Sequence, residues 1–229
     1  MELKFTGVGS AFNPKLKNTS AYFTMEDNFF LVDCGESVFA SVWDMPELRN
    51  SKDIYVIITH LHADHVGSLA SLISYTYYIL EKKIHVIHPI ETIVDLLTLS
   101  GIDKNNYFYY NSLPKAVSGV KVEAVPVEHV RDMKSFGYVV RAKDKKIFYS
   151  GDSKKIPDEI LKRFLEGDID RLYQDTAISY SENPSHMFIG DLMELIPSEK
   201  RDRVYCMHLE GDNEELIRSK GFNVACCEN

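Results

Sequence analysis

The segment His60-Leu61-His62-Ala63-Asp64-His65 places three imidazoles and one carboxylate within six residues. It follows residues 54–59, an apolar run whose β-branched side chains predict a buried strand. A helical pattern begins at Gly67, so the polar side chains lie on a loop between a strand and a helix. This spacing of metal-binding residue types favours a metal site over a polar loop that is rich in histidine by chance.

The spacing also divides this segment into two halves. His60 and His62 are two apart in an extended segment, so their side chains point the same way and can share one metal ion. Asp64 and His65, at the turn into the helix, can reach a second ion nearby. The sequence therefore predicts a site for two metal ions.

Composition limits the partners and the location of the protein. Its 229 residues include 26 Lys and Arg against 34 Asp and Glu, which gives a net charge of −8. A large RNA or DNA partner is disfavoured, because proteins that grip long nucleic acids usually present a basic surface. No apolar run approaches the ~18 residues of a membrane span, and the N-terminus lacks the plan of a signal peptide. We expect a cytoplasmic protein without membrane contact, located in the host cytoplasm if it is viral.

The remaining sequence alternates strand-like and helix-like segments, without an apparent linker, low-complexity tract or repeat. We therefore predict one α/β domain over residues 1–229. The predicted strands are residues 3–8, 21–32 with a turn at 26–28, 54–59, 84–88, 120–127, 136–142, 146–150, 170–174, 203–207 and 222–226. The predicted helices are residues 37–43, 63–80, 90–99, 158–166, 213–220 and one that begins near His186.

Four consecutive aromatic residues, Tyr107-Phe108-Tyr109-Tyr110, lie between asparagines. They lack the alternation of polar and apolar positions that marks a half-buried strand. We expect a loop that acts as a lid or an interface. Because aromatic rings stack on bases, this loop could cover a nucleobase, and a packing or dimer contact is an equally open interpretation.

Several candidate ligands share one position relative to the strands. Each of the following side chains comes within two residues of the end of a predicted strand: His60, His129, Asp152 and His208. Because α/β proteins generally place their chemistry where strands end, we expect these side chains to meet along one edge of the sheets. His85 and His88 also lie on a predicted strand, but a lone strand histidine is more often structural, and we exclude both.

Together these segments resemble the metallo-β-lactamase superfamily and, within it, the ribonuclease Z-like phosphodiesterases. The matching parts are residues 5–11 (FTGVGSA), 33–36 (DCGE), 59–67, 137–138 and 149–153 (YSGDS), with His129, His186 and His208. The HxHxDH element is shared by hydrolases, oxidoreductases and nucleases, whereas the DCGE turn and His186 narrow the choice. The resemblance implies an αββα sandwich, in which helices cover two mixed sheets, usually assembled as a homodimer.

The resemblance also implies how the metal ions are held. The first ion would take His60, His62 and His129, the second would take Asp64, His65 and His208, and Asp152 would bridge both. Imidazole-dominated sites of this kind suit zinc best, with manganese as a realistic substitute. Asp33 would orient the histidines from behind.

His186 is implied as the catalytic acid, because the family keeps a histidine at this position to protonate the leaving oxygen. An imidazole suits that task near neutral pH. A surface histidine at the start of a helix is the alternative interpretation. Asp64 is counted as a catalytic residue as well as a ligand.

Two departures from tRNA-processing relatives bear on the substrate. Only residues 130–151 separate His129 from Asp152, so the long Gly/Pro-rich arm that clamps tRNA is missing. The final motif continues with Leu209-Glu210, where those enzymes commonly carry hydroxylated or basic residues. The compact plan resembles relatives that hydrolyse small cyclic nucleotides, among them phage anti-Pycsar proteins, which destroy cyclic pyrimidine alarm signals of the host.

We therefore expect a dinuclear metal-dependent phosphodiesterase that hydrolyses 3′,5′-cyclic nucleotides to nucleoside 5′-monophosphates and that, in a virus, serves immune evasion. A ribonuclease Z-type tRNA 3′ endonuclease is the first alternative. A non-catalytic nucleotide-binding sensor is the second, although the presence of every ligand and of the acid argues against degeneration. A lactamase or thioesterase is disfavoured by His186 and the DCGE turn.

Overall fold

A computed structural model of the chain describes residues 2–182 and 184–227. Three parts of the predicted domain lie outside the described residues: Met1, Asn183 in the segment before the helix predicted near His186, and residues 228–229. The described strands form two six-stranded sheets.

The first sheet takes its strands in chain order. They are β1 (Lys4–Gly7), β2 (Ser20–Met25), β3 (Asn28–Val32), β4 (Asp53–Ile57), β5 (Ile84–Ile87) and β6 (Tyr107–Tyr110). β1 to β3 are antiparallel, whereas β3 to β6 are parallel. The connections hold α1 (Val38–Val42), α2 (Pro46–Arg49), α3 (Ala63–Val66), α4 (Leu69–Tyr78), α5 (Thr92–Leu99) and a short 3₁₀ helix (Lys104–Asn106).

The second sheet takes the later strands in the reverse spatial order. They are β7 (Val120–Val127), β8 (Ser135–Ala142), β9 (Lys145–Tyr149), β10 (Arg171–Asp175), β11 (Val204–Met207) and β12 (Asn223–Val224). β7 to β9 are antiparallel, and β9 to β12 are parallel. The connections hold α6 (Asp158–Leu165), α7 (Ile189–Leu195), a 3₁₀ helix (Ser198–Arg203) and α8 (Glu214–Ser219). No helix in the described ranges is both long and apolar enough to cross a bilayer.

The helices and the two sheets pack against one another through three apolar layers. β3 illustrates the pattern, since Phe29 and Leu31 face the helices of the first sheet while Phe30 and Val32 face the second sheet. This follows from the strand period of two, and burial of both faces explains the continuous apolar run in the sequence. α6, α7 and α8 cover the outer face of the second sheet in the same way. The predicted αββα sandwich is confirmed.

The loop predicted at residues 107–110, as a lid or an interface, is wrong, whereas the packing role that was the open alternative agrees with the structure. These residues form β6, which pairs in parallel with β5 at the edge of the first sheet. Tyr107 and Tyr109 pack with the layer under the helices, and Tyr110 packs with the layer between the sheets. Aromatic residues follow one another because Tyr107 and Tyr109 pack on one face and Tyr110 on the other, while Phe108, 44% exposed, stacks on His85.

The helix predicted over residues 63–80 is divided into α3 and α4 near Ser68. The Ser68 hydroxyl donates to the carbonyl oxygen of Gly35 and accepts a hydrogen bond from Phe39 N at 3.0 Å. Serine side chains that bind backbone groups in this way compete with helix continuation. These hydrogen bonds of Ser68 hold the segment of residues 60–67, called the metal loop here, against the turn that follows β3.

Gly35 lies where that turn passes closest to the metal loop. A Cβ atom at this position would overlap the backbone oxygen of Asp64. Beside it, Cys34 N donates to the carbonyl oxygen of His65 at 2.7 Å. Glycine is therefore required by the close approach of two backbones, which sets the height of Asp64 and His65 above the sheet.

Gly35→Ala should lower the free energy of unfolding by about 1–3 kcal/mol, because backbone rather than a flexible side chain must move to admit the methyl group. Chemical denaturation of the variant and the wild type measures the difference. Gly211→Ala is the control, since a Cβ atom there would meet Asn213 Nδ2 at an ordinary 3.5 Å. The control should change stability by less than about 0.5 kcal/mol. Equal stability of Gly35→Ala and the wild type would contradict the close backbone contact.

Candidate metal centre

Side chains that follow β4, β7, β9 and β11 meet at one edge of the sandwich. They form two groups, and within each group the potential ligand atoms lie within 4.8 Å of one another. The first group contains His60, His62, His129 and Asp152, and the second contains Asp64, His65, Asp152 and His208. The structure therefore brings together all seven predicted ligands, in the two predicted sets.

The first group is a cluster of imidazole nitrogens. His60 Nε2 lies 3.0 Å from His62 Nδ1, which lies 3.2 Å from His129 Nε2. Asp152 Oδ2 completes the group, 3.8 Å from the His60 nitrogen and 3.6 Å from the His129 nitrogen. Two nitrogens that bind a tetrahedral zinc ion at about 2.1 Å lie about 3.3 Å apart. The observed spacings are close to that value.

The second group pairs two imidazoles with two carboxylates. His65 Nε2 lies 3.2 Å from Asp64 Oδ2 and 3.2 Å from Asp152 Oδ1. His208 Nε2 lies 3.3 Å and 3.4 Å from the same two oxygens. All four residues are buried. Asp152 thus presents Oδ1 to this group and Oδ2 to the first, which is the arrangement of a bridging carboxylate.

Hydrogen bonds behind the histidines fix which nitrogen faces the centre. His65 Nδ1 donates to Asp33 Oδ2 at 2.8 Å. The Thr59 hydroxyl donates its single proton to Asp33, so its oxygen is free to accept from His60 Nδ1 at 3.0 Å. In both histidines the Nε2 lone pair points inward, as metal binding requires. Asp33 lies behind the histidines, where the resemblance placed it.

Two atoms of the second group lack the partners that burial normally demands. Among the described residues, His65 Nε2 and Asp152 Oδ1 are buried and make no hydrogen bond. Such an atom costs about 1–3 kcal/mol, and native structures hold few of them. Imidazole nitrogens and carboxylate oxygens are also ligands that zinc takes in proteins. The residues present therefore fit two divalent cations, one in each group.

Burial and neighbouring charges shift the pKa of some of these histidines downward and that of others upward. Burial, together with the charge of His65, lowers the pKa of His60 well below its ordinary value. Burial also opposes the charge on His208, but Asp152 and Asp175 outweigh it and raise the pKa of His208 to about 10. Burial would raise the pKa of Asp152, yet His208 and His65 hold it well below its ordinary value. A divalent cation in the second group would therefore displace protons.

Asp175 was missed by sequence reasoning, although it holds two of the histidines. It ends β10 and is fully buried, with Oδ2 2.7 Å from His186 Nδ1 and Oδ1 3.5 Å from His208 Nδ1. Ser153 N also donates to its Oδ2 at 2.9 Å. Its position could have identified it, because β10 lies between β9 and β11, which lead to Asp152 and His208.

His186 lies at the rim of the centre, on a loop rather than at the start of a helix. α7 begins at Ile189, so the helix predicted to start near His186 is confirmed, and His186 itself lies three residues before it. The loop is fixed to the centre because His129 Nδ1 donates to Ser185 O at 2.9 Å. The His186 ring is 28% exposed and stacks on His208, with the ring centroids 4.9 Å apart.

The bond to Asp175 sets the protonation of His186. Burial lowers the pKa of this imidazole, but the hydrogen bond to Asp175 and its charge outweigh burial and raise the pKa above its ordinary value. Because Nδ1 is engaged by the carboxylate, Nε2 is the nitrogen left to meet a ligand.

A cavity of about 350 Å³ opens beside His186 and His208. The loop 10–12, Ala177 and Glu210 form the rest of its lining. Its volume lies within the range of small-molecule pockets. A larger concavity, about 970 Å³, lies around one end of β7 and is lined by none of the candidate ligands.

His85 and His88, which the sequence analysis excluded, join neither group among the described residues. His88 Nδ1 donates to the carbonyl oxygen of Ile58 at 2.9 Å and is buried. The ring of His85 stacks on Tyr55. Both histidines have structural contacts.

Comparison with solved structures identifies the fold. The metallo-β-lactamase fold protein YhfI from Bacillus subtilis gives a TM-score of 0.73 at 14% identity, covering 97% of this chain and 92% of that chain. Human tRNase Z, short form (ELAC1), gives a TM-score of 0.71 at 19% identity, covering 93% of this chain and 94% of that chain. At these identities the similarity shows the fold alone, which is the metallo-β-lactamase fold that the sequence predicts.

Sequence comparison is more specific. A protein of Bacillus phage BSP38, described as Anti-Pycsar protein Apyc1, is 31% identical to this chain, covering 96% of this chain and 92% of its own length. The model of the family with the same description matches residues 1–225. The chain belongs to the Anti-Pycsar protein Apyc1 family.

Proposed function

We propose that this protein is a metal-dependent phosphodiesterase that hydrolyses 3′,5′-cyclic nucleotides to nucleoside 5′-monophosphates. The observation that carries the proposal is the pair of ligand groups that share Asp152, with His186 at their rim. Membership of the Anti-Pycsar protein Apyc1 family supports a small cyclic nucleotide as the substrate.

Side chains of this chain would hold two divalent ions. We propose that these ions are zinc, with manganese as a substitute. The ligand sets would be His60, His62, His129 and Asp152 for one ion, and Asp64, His65, His208 and the same Asp152 for the other. When bound, such ions lower the pKa of the water that attacks phosphorus and neutralise charge on the phosphate oxygens. Asp64, the second predicted catalytic residue, would act as a ligand.

The leaving oxygen needs a proton, and in this proposal His186 supplies it. A water molecule releases one proton to solvent as its oxygen bonds to phosphorus, the bond between phosphorus and the ribose O3′ breaks, and the His186 imidazolium passes its Nε2 proton to O3′. Solvent then returns a proton to His186 for the next turnover. Asp175 serves this step from behind, because its 2.7 Å hydrogen bond to Nδ1 orients the ring and its charge favours the protonated form.

The size and charge of the site support a small substrate over an RNA. A cavity of about 350 Å³ lies near the lower end of the range for ligand pockets, which suits one nucleotide. Glu210 adds a negative charge to its lining, and the net charge of the chain is −8. A phosphodiester with one charge meets less repulsion here than a polyanion would.

The biological setting follows from the same proposal. In a phage, this activity would remove cyclic nucleotide signals of the host's immune response, which the family description supports. A homodimer in the cytoplasm stays our prediction. Light scattering tests the dimer directly, and a monomeric mass would contradict it.

A side-by-side assay separates the proposed function from its alternatives. The metal-loaded protein is incubated with purine and pyrimidine 3′,5′-cyclic nucleotides and with a precursor tRNA that carries a 3′ trailer. We expect nucleoside 5′-monophosphates and intact tRNA. Trailer cleavage with unchanged cyclic nucleotides would establish the endonuclease instead, and nucleotide that binds but stays intact would establish the sensor.

Asp152→Ala should lose bound metal, because both ligand groups lose the carboxylate that they share. Elemental analysis of the purified variant and the wild type measures the metal content per chain. Asp144→Ala, on the exposed turn between β8 and β9, is the matched control and should keep the wild-type content. Full metal content in Asp152→Ala would argue against the bridging role.

His186→Ala should keep its metal and lose about 10²–10⁴-fold in turnover of a cyclic nucleotide, the usual contribution of a general acid. The loss should nearly vanish on a p-nitrophenyl ester of a nucleotide, because p-nitrophenolate leaves without a proton. Steady-state kinetics on both substrates measures the difference. Equal losses on both would indicate a structural role, and near-normal turnover of the cyclic nucleotide would remove His186 from the mechanism.

A further inference from the structure

Phe12 is the most exposed large apolar side chain of the described residues. Its side chain is 96% exposed, on the loop that follows β1. Isolated apolar side chains on a surface are common and need no function. Phe12, however, lines the same cavity as His186 and His208, so its ring is presented to whatever that cavity binds.

Backbone hydrogen bonds fix this loop to the metal centre. Ser10 N donates to the carbonyl oxygen of Leu209 at 3.0 Å, and Leu209 N donates to Val8 O at 2.8 Å. On the other side of Phe12, the Asn13 side-chain amide donates to the carbonyl oxygen of Glu210 at 3.2 Å. Phe12 is therefore held on both sides to the segment that directly follows His208.

We propose that Phe12 is the stacking platform for the base of the nucleotide bound in this cavity. The inference rests on the proposed phosphodiesterase function, which places the phosphate at the metal centre beside His186. The base of that nucleotide then extends into the cavity toward the rim. Because backbone hydrogen bonds already order this loop, the loop itself loses little conformational entropy when a base stacks on the aromatic ring that it presents.

Stacking of this kind strengthens ground state and transition state alike, since the base does not change during hydrolysis of the phosphodiester. Removing it should raise KM and leave kcat nearly unchanged. Base–aromatic stacking measured by alanine substitution corresponds to about a 5- to 150-fold loss of affinity per base. A change in KM alone therefore distinguishes Phe12 from the groups that act on the phosphate.

The test compares Phe12 variants on two substrates, a 3′,5′-cyclic nucleotide and ribose 3′,5′-cyclic phosphate without a base. Phe12→Ala should raise KM for the nucleotide about 5- to 150-fold and leave both constants unchanged for the base-free substrate. Phe12→Trp should keep the wild-type KM, whereas Phe12→Leu, which is apolar but has no ring, should resemble alanine. Leu99→Ala, which removes a side chain that is 88% exposed on α5, is the control and should change nothing.

Two results would overturn the inference while the proposed function stands. One is an unchanged KM for the nucleotide in Phe12→Ala, and if light scattering then shows an altered oligomeric state, Phe12 belongs to a contact between copies of the chain. The other is an equal loss on both substrates, which would indicate a structural effect on the metal centre. If the wild type hydrolyses no cyclic nucleotide, the proposed function itself fails.

Discussion

A buried carboxylate surrounded by imidazoles is the constraint on which the rest of this structure depends. Asp152 is only 3% exposed, and its two oxygens face histidines from three other segments of the chain. A charge in such a place is stable only with opposite charge close by, supplied by protons or by metal cations. The sandwich meets this demand because the strands that lead to the ligands end at one edge.

Two residues beside the centre have unusual backbone conformations. Asp33 and His208 have φ angles of 64° and 61°, in the left-handed region that non-glycine residues rarely adopt. Such residues persist where surrounding contacts hold them. Asp33 accepts hydrogen bonds from Thr59 and His65. His208 precedes Leu209, whose backbone is hydrogen-bonded to Val8 and Ser10 of the loop after β1. The candidate ligands are thus held by hydrogen bonds on the side that faces away from the metal site.

The shared fold does not decide the substrate. Human tRNase Z and the Bacillus subtilis protein have the same sandwich at less than 20% identity, and a fold of this kind can host different reactions. The features that bear on the substrate lie at the rim. The connection between β7 and β8 is short, Glu210 faces the cavity, and the loop 10–12 is bound to the segment after His208. Under the proposed function, loops would therefore distinguish a nucleotide from an RNA, whereas the sheets place the candidate metal ligands.

The sequence by itself predicted the fold class, most strands and, with the family resemblance for the ligand sets, all seven converging side chains. Strand alternation, the spacing within residues 60–65 and the position of a polar residue just after a strand are local properties that a short window of residues expresses. Asp175 directly follows the predicted strand 170–174 and so meets the same positional criterion, but it was missed, because the contacts with His186 and His208 that give it a role form only in the folded chain. The residues of β6 were predicted as a loop, acting as a lid or an interface, because their pairing with β5 is invisible in their own pattern. Only the tertiary structure decided these points and the place of Phe12, because they depend on hydrogen bonds and packing between segments far apart in the chain.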